Sequence, residues 1–241
     1  MAARGARAAG GEKLPTIGFL GATTPSAGGQ LLAAFVQRLR ELGWIEGRTV
    51  AIESRWAGGR SERFAEIAAE FVRLKVDVIL THNTPPALAA KQTTSIIPIV
   101  FATGGDPVGT GVVASLARPG GNVTGLSSQN KETAGKRIEL LREVVPGLRR
   151  LAILASDSPY SVLEVSEVQA AARTIGLEVA AIEIRQTEDI PPAFETLKGR
   201  AWALYVIPDP VTVSNRFRIN TLALGARLPT MHAVRDCRRL L

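Results

Sequence analysis

Short apolar runs rich in β-branched residues alternate with amphipathic helical stretches along nearly the whole chain, which restricts it to parallel βαβ architecture. Thr16 to Leu20 reads as the first strand, with a polar loop from Gly21 to Gly29 after it. Leu31, Leu32, Phe35, Val36, Leu39 and Leu42 then keep helical spacing until Gly43 stops it. A second strand, Thr49 to Glu53, leads through Gly58-Gly59 to a helix capped at Ser61, with Phe64, Ile67, Ala68, Phe71 and Val72 as its buried stripe. Val76 to Leu80 is a third strand. Pro85 or Pro86 can open the helix after it, because a first-turn N–H has no intrahelical partner to lose.

Residues 96–126 hold the least ordinary stretch. Ile96 to Phe101 reads as a buried strand, Gly104 to Pro107 as a Gly-Asp-Pro loop, and Val108 to Ala117 as a small-residue helix. The turn Arg118-Pro119-Gly120-Gly121 then gives way to a strand from Asn122 to Leu126. Ligands of open parallel sheets gather outside the carboxyl ends of the strands, which marks this polar crossing as a candidate site. Gly109-Thr110-Gly111-Val112-Val113-Ala114 has the form G-x-G-x-x-A, but it starts inside the expected helix and no acidic residue ends the next strand. A dinucleotide site needs both features, so none is read here.

A second series of helices and strands follows. A helix is expected at Lys131 to Val145, then the strand Leu151 to Ala155, the helix Val162 to Ile175 and the strand Leu177 to Ile182. Next come a helix (Ile190 to Leu197), a strand (Ala203 to Ile207), a helix (Val213 to Leu224) and a short strand (Leu228 to Met231). By count alone these units suit a TIM barrel as well as two smaller lobes divided near residues 125–130.

The motifs choose between these. Pro98-Ile99-Val100-Phe101, Gly105-Asp106-Pro107-Val108 and Ala114-Ser115-Leu116-Ala117-Arg118-Pro119-Gly120-Gly121-Asn122-Val123-Thr124-Gly125 resemble the signature of the ABC-transporter substrate-binding proteins of the tryptophan/tyrosine-binding type. The likeness runs from Leu14 to about Thr230 and includes Ile17 to Gly21, Thr24-Pro25-Ser26, Gly43 to Gly47 and Leu140 to Glu143. It implies a periplasmic-binding-protein type I fold of two Rossmann-like α/β lobes with parallel sheets, lobe 1 at residues 14–126 and lobe 2 at 127–241. Family members continue beyond the point where this chain, after His232, reads Ala-Val-Arg-Asp-Cys-Arg-Arg-Leu-Leu, so a C-terminally truncated second lobe is expected. Residues 1–13, rich in Ala, Gly and Arg, lack a hydrophobic core segment. They are expected to be a disordered remnant of a signal region rather than an intact signal peptide.

Composition narrows the chemistry. At 46% hydrophobic and 21% charged, the chain has the balance of a globular protein, and its net charge of +7 is spread along helices. Basic clusters occur only at Arg149-Arg150 and Arg235 to Arg239, without the interleaved aromatics of a single-strand binder, so no nucleic-acid partner is expected. One cysteine, Cys237, excludes an internal disulfide, and with two histidines any zinc site would lean on carboxylates. No metal, cofactor or catalytic residue is assigned.

The candidate ligand-binding residues sit in loops that leave strands. In lobe 1 they are Thr23, Thr24 and Ser26, then Asn83 and Thr84, then Asp106; in lobe 2 they are Asp157, Ser158 and Asp209. Loops at helix N-termini offer free N–H groups and a positive dipole end to a ligand carboxylate. Asp209 or Asp157 could take an ammonium group. The competing reading is that each residue only caps its helix. His82 shares such a loop with no nucleophile beside it, and Tyr160 either covers an aromatic ligand or packs at a helix start.

The resemblance implies a non-catalytic, monomeric solute receptor. It would capture a small solute, an aromatic or branched amino acid, between its lobes by hinge closure. It would deliver that solute to a membrane permease, in the periplasm or another extracytoplasmic space. The rivals are an α/β hydrolase or isomerase of TIM-barrel type, a transcription-regulator sensor domain, and a receptor fragment without function. Residues 1–13 are too short for the DNA-binding headpiece that a sensor domain would need.

Overall fold

The computed structural model describes residues 13–128 and 133–232. The chain divides into two compact units between Ser127 and Ser128. In the first unit β1 (Thr16–Gly21), β2 (Ala51–Trp56), β3 (Val78–Thr81), β4 (Ile99–Gly105) and β5 (Val123–Ser128) form one sheet, ordered β2-β1-β3-β4-β5. β1 runs parallel to β2 and β3, and β3 parallel to β4. In the second, β6 (Arg150–Ala155), β7 (Glu178–Glu183), β8 (Ala203–Val206) and β9 (Thr230–His232) are ordered β7-β6-β8-β9, each neighbouring pair parallel. Two separate parallel sheets replace the single closed barrel that the element count also allowed.

The helices are α1 (Pro25–Glu41), α2 (Glu62–Leu74) and α3 (Thr84–Thr93) in the first unit. The second has α4 (Ala134–Val144), α5 (Pro159–Thr174), α6 (Ile190–Leu197), α7 (Pro210–Ser214) and α8 (Arg216–Gly225). Strand alternation builds the second core. Ile153 and Tyr205 point to the face covered by Ile138 and Leu141 of α4 and Val168 and Ala172 of α5. Their neighbours Leu154, Leu204 and Val206 point to the opposite face, against Ile190, Phe194 and Leu197 of α6 and Ile219 of α8. In the first unit Leu20, Ile79, Ile99 and Phe101 pack with Phe64, Ile67 and Phe71 of α2 and Ala87 and Ala90 of α3.

Several expectations need correction. No helix forms at Val108 to Ala117; the segment is a series of turns, and β4 runs on through Gly104 and Gly105. Gly111 adopts φ +76, and Asp106 turns the chain by accepting the N–H of Gly109 at 2.9 Å and, through its carbonyl, that of Thr110 at 3.0 Å. The segment is anchored by burying Val112 and Val113, not by helical hydrogen bonds.

α1 begins at Pro25, well before Leu31, because Thr24 caps it and proline suits its first turn. Its expected stripe is only half covered: Leu32, Phe35, Val36 and Leu39 are half-buried, whereas Leu31 and Leu42 are exposed. β2 lies later than Thr49 to Glu53, ending at Trp56. Val72 falls outside the buried stripe of α2. Trp44, just beyond the end of α1, is exposed. The single helix expected at Val213 to Leu224 is two, broken at Asn215. Lys131, residues 1–12 and the segment with Cys237 and Arg235 to Arg239 lie outside the described residues.

Candidate functional site

Each sheet reverses direction of growth between its first and third strands, at β1/β3 in one unit and β6/β8 in the other. An open parallel sheet leaves its crevice at that switch point, outside the carboxyl ends. The segments leaving β1 and β3 are Ala22 to Thr24 and His82 to Asn83; those leaving β6 and β8 are Ser156 to Ser158 and Ile207 to Asp209. Seven of the nine candidate residues therefore stand in or directly beside switch-point loops, Ser26 lies in the first turn of α1, and Asp106 follows β4, the neighbour of β3.

In the first unit most candidate polar groups are tied into the loop. Thr24 Oγ1 accepts the N–H of Ala27 at 3.3 Å and lies 3.0 Å from Ser26 Oγ. Thr23 is buried, and its hydroxyl donates to the Thr24 carbonyl at 3.4 Å. Thr84 donates its hydroxyl to the carbonyl of Gly105 at 2.9 Å, and the Asn83 N–H donates to that of Thr103 at 2.8 Å. These two bonds stitch the β3 exit to the end of β4. Asn83, unlike Thr24, makes no capping bond to its helix. Its backbone sits at φ 70, ψ 159, a region that glycine occupies freely and other residues rarely do.

His82 lies in the same segment leaving β3. It is 7% exposed, and among the described residues its Nε2 has no hydrogen-bond partner. Its ring lies 6.2 Å from that of Phe19, which meets Trp56 edge-on at 5.2 Å. Burial holds the imidazole below its ordinary pKa, offset in part by a hydrogen bond to the Asn83 side chain.

In the second unit Asp209 organises the loops. Oδ1 accepts the N–H groups of Val211 at 2.8 Å and Thr212 at 3.0 Å, capping α7. Oδ2 accepts the N–H of Ser156 at 3.1 Å and the hydroxyl of Ser161 at 3.2 Å. Burial raises its pKa against those donors. The sequence offered this carboxylate as an ammonium acceptor, yet its four acceptor directions are filled by protein donors, so it positions the loops. Ser158 caps α5 by accepting the Ser161 N–H at 3.2 Å. Asp157 is exposed and pairs with Arg185 at 3.3 Å.

Sequence reasoning missed a buried polar cluster behind these loops. Glu164 of α5 is fully buried, and its carboxylate accepts the hydroxyl of Tyr160 and, at 3.4 Å, that of Tyr205. Arg137 of α4 donates to Tyr205 Oη at 3.2 Å and stands 3.7 Å from Glu164. Burial raises the Glu164 carboxyl and pushes the Tyr205 hydroxyl up to about 12. Tyr160 thus has the packing role, with its hydroxyl held by Glu164. The available signal was the four-residue spacing of Tyr160, Glu164, Val168 and Ala172 on one helix face.

Among the described residues no group of three or more His, Cys, Asp or Glu side chains could hold a metal ion. None of the described helices is long and apolar enough to cross a membrane. A concavity lined by Glu139, Arg142, Glu143 and Ile175 lies toward the C-terminal end of α5, away from the strand-end loops.

Comparison with known proteins gives these loops a context. Residues 30–237 match the family model described as ABC transporter substrate binding protein. A tyrosine-binding protein of Clostridioides difficile is 30% identical over 196 residues, which is 81% of this chain and 56% of the relative. The chain thus spans little more than half the length of that relative. A conserved domain protein of Vibrio cholerae superposes with a TM-score of 0.85 at 24% identity, over 92% of this chain and 75% of the other. An ABC domain from Streptococcus pneumoniae, solved in complex with L-Trp, superposes with a TM-score of 0.81 at 26% identity, over 91% of this chain and 74% of the other. The two-sheet α/β architecture is that of the periplasmic-binding-protein type I fold.

Proposed function

The chain belongs to the family of ABC transporter substrate-binding proteins, and from that premise we propose that it captures an aromatic amino acid for delivery to a membrane permease outside the cytoplasm. Relatives of this kind are substrate-binding proteins rather than enzymes. Capture draws on the strand-end loops of each unit: Thr23, Thr24, Ser26, Asn83, Thr84 and Asp106 in the first, Asp157 and Ser158 in the second, with Asp209 holding the second set in place.

The observation that carries this reading is the repeated sheet order, which puts candidate loops at the switch point of each unit. α3 adds a helix N-terminus without a side-chain cap, suited to a carboxylate through the Thr84 N–H. The solute class is supported by the relatives that bind tyrosine and tryptophan.

A thermal melt with and without free amino acids tests the proposal, because a ligand that binds only the folded state raises the midpoint. L-tryptophan or L-tyrosine at 100 times its dissociation constant should stabilise the fold by about 2.7 kcal/mol. A sharp melt that no amino acid shifts would reject the solute class.

A further inference from the structure

His82 has an exposure and bonding pattern that the fold alone does not explain. Its Nε2 is sealed from solvent and has no partner among the described residues. An unsatisfied buried polar atom is destabilising, and natural interiors seldom keep one without a reason. This one lies at the β1/β3 switch point, one residue ahead of Asn83, whose backbone holds a conformation that favours glycine. Two unfavourable features side by side in the crevice of a parallel sheet fit selection for binding rather than for stability.

The surroundings narrow the ligand chemistry. Phe19 and Trp56 make this corner aromatic, with ring centroids 6.2 Å from His82 to Phe19 and 5.2 Å from Phe19 to Trp56. Burial keeps the imidazole neutral, and a neutral ring carries one acceptor nitrogen; Nε2 is the buried ring nitrogen without a partner among the described residues. An ammonium group buried here would need a carboxylate. Asp106, the candidate acid of this unit, is occupied with the N–H of Gly109. An indole N–H or phenol O–H attached to a flat apolar ring meets both conditions.

We propose that His82 Nε2 accepts a hydrogen bond from the ring N–H or O–H of an aromatic amino acid, making His82 the residue that selects tryptophan and tyrosine over phenylalanine. The inference rests on the amino-acid reading given above. It makes His82 a specificity residue whose unmet bond in the free protein is met by the solute.

Calorimetric titration of the wild-type chain and two variants with L-tryptophan, L-tyrosine and L-phenylalanine tests it. The wild type should bind tryptophan and tyrosine about tenfold or more tighter than phenylalanine. His82→Leu should lose that factor for tryptophan and tyrosine and keep its affinity for phenylalanine. The same variant should melt higher than the wild type without solute, since an apolar side chain removes the unmet polar atom. His82→Gln, which retains an acceptor, should keep most of the discrimination. Unchanged tryptophan and tyrosine affinities in His82→Leu would overturn the proposal, as would equal losses for all three solutes. Equal wild-type affinities for tyrosine and phenylalanine would overturn it even if the leucine variant did not fold. If the wild type bound none of the three, the amino-acid reading itself would fail, which is a different result from binding without discrimination.

Discussion

The carboxylate of Asp209, just beyond β8, accepts the backbone N–H of Ser156, just beyond β6, at 3.1 Å. One buried side chain thereby joins the two loops at the switch point of the second sheet while its other oxygen caps α7. The acid read from sequence as an ammonium acceptor is thus the group that holds these two loops in register.

Asp209→Ala should destabilise the protein by about 3 kcal/mol, from the lost cap together with the unsatisfied Ser156 N–H and Ser161 hydroxyl. Asp209→Asn should cost about half as much, because its amide oxygen still caps α7. Urea midpoints measure both, and a loss below about 1 kcal/mol in the alanine variant would show that the clamp is dispensable.

Stability should fall as pH rises above the ordinary glutamate value of 4.5, because burial raises the folded-state pKa of Glu164. The folded protein then holds this proton more tightly than the unfolded chain does. The contribution is full below the unfolded value and is lost as pH rises through the folded one. Asp209, also raised by burial, adds a slope of the same sign. Glu164→Gln retains the acceptor for Tyr160 and removes the titration, so its profile should be flatter as pH rises above 4.5. Parallel urea-midpoint profiles for the two proteins would sink this prediction.

Asn83→Gly should stabilise the free protein by about 1 kcal/mol. Relief of roughly 1–3 kcal/mol of backbone strain at φ 70, ψ 159 outweighs the added freedom of the unfolded chain. Differential scanning calorimetry decides it; a lower melting midpoint would mean that the asparagine side chain contributes more than its backbone loses.

Two adjacent glycines of α1 should respond with opposite signs. A Cβ at Gly28 would sit 2.7 Å from Thr23 Oγ1 and 2.8 Å from the Trp56 ring, so Gly28→Ala should destabilise by about 1–3 kcal/mol. A Cβ at Gly29 meets nothing within 4 Å, so Gly29→Ala should stabilise by about 1 kcal/mol through helix propensity alone. Chemical denaturation of both variants would refute the packing argument if the signs agreed.

Much of this was legible in the chain. The alternation placed every strand to within a few residues, and Ile190 to Leu197 is a helix with the bounds that were read. The expectation at Val108 to Ala117 failed because small residues suit a helix only when backbone geometry permits. Gly111 and the Asp106 turn settled it the other way. The early start of α1 was signalled by Thr24-Pro25, but the apolar stripe begins later and drew the boundary with it.

The sequence by itself determined the class of fold, because strand and helix periodicities are local and a window of some ten residues carries them. It also placed the polar loops at strand ends, since Thr, Ser, Asp and Pro favour helix starts for reasons internal to each segment. Only the tertiary structure decided which of those groups are spent on the protein itself. Glu164 and Tyr205 are 41 residues apart in the chain, and Ser156 and Asp209 are 53 apart. Their pairing follows from the sheet order, which sets β6 beside β8. The same order leaves His82 Nε2 buried without a partner among the described residues at the head of α3, because hydrogen bonds between distant segments depend on how the strands are arranged, not on the residues that flank each group.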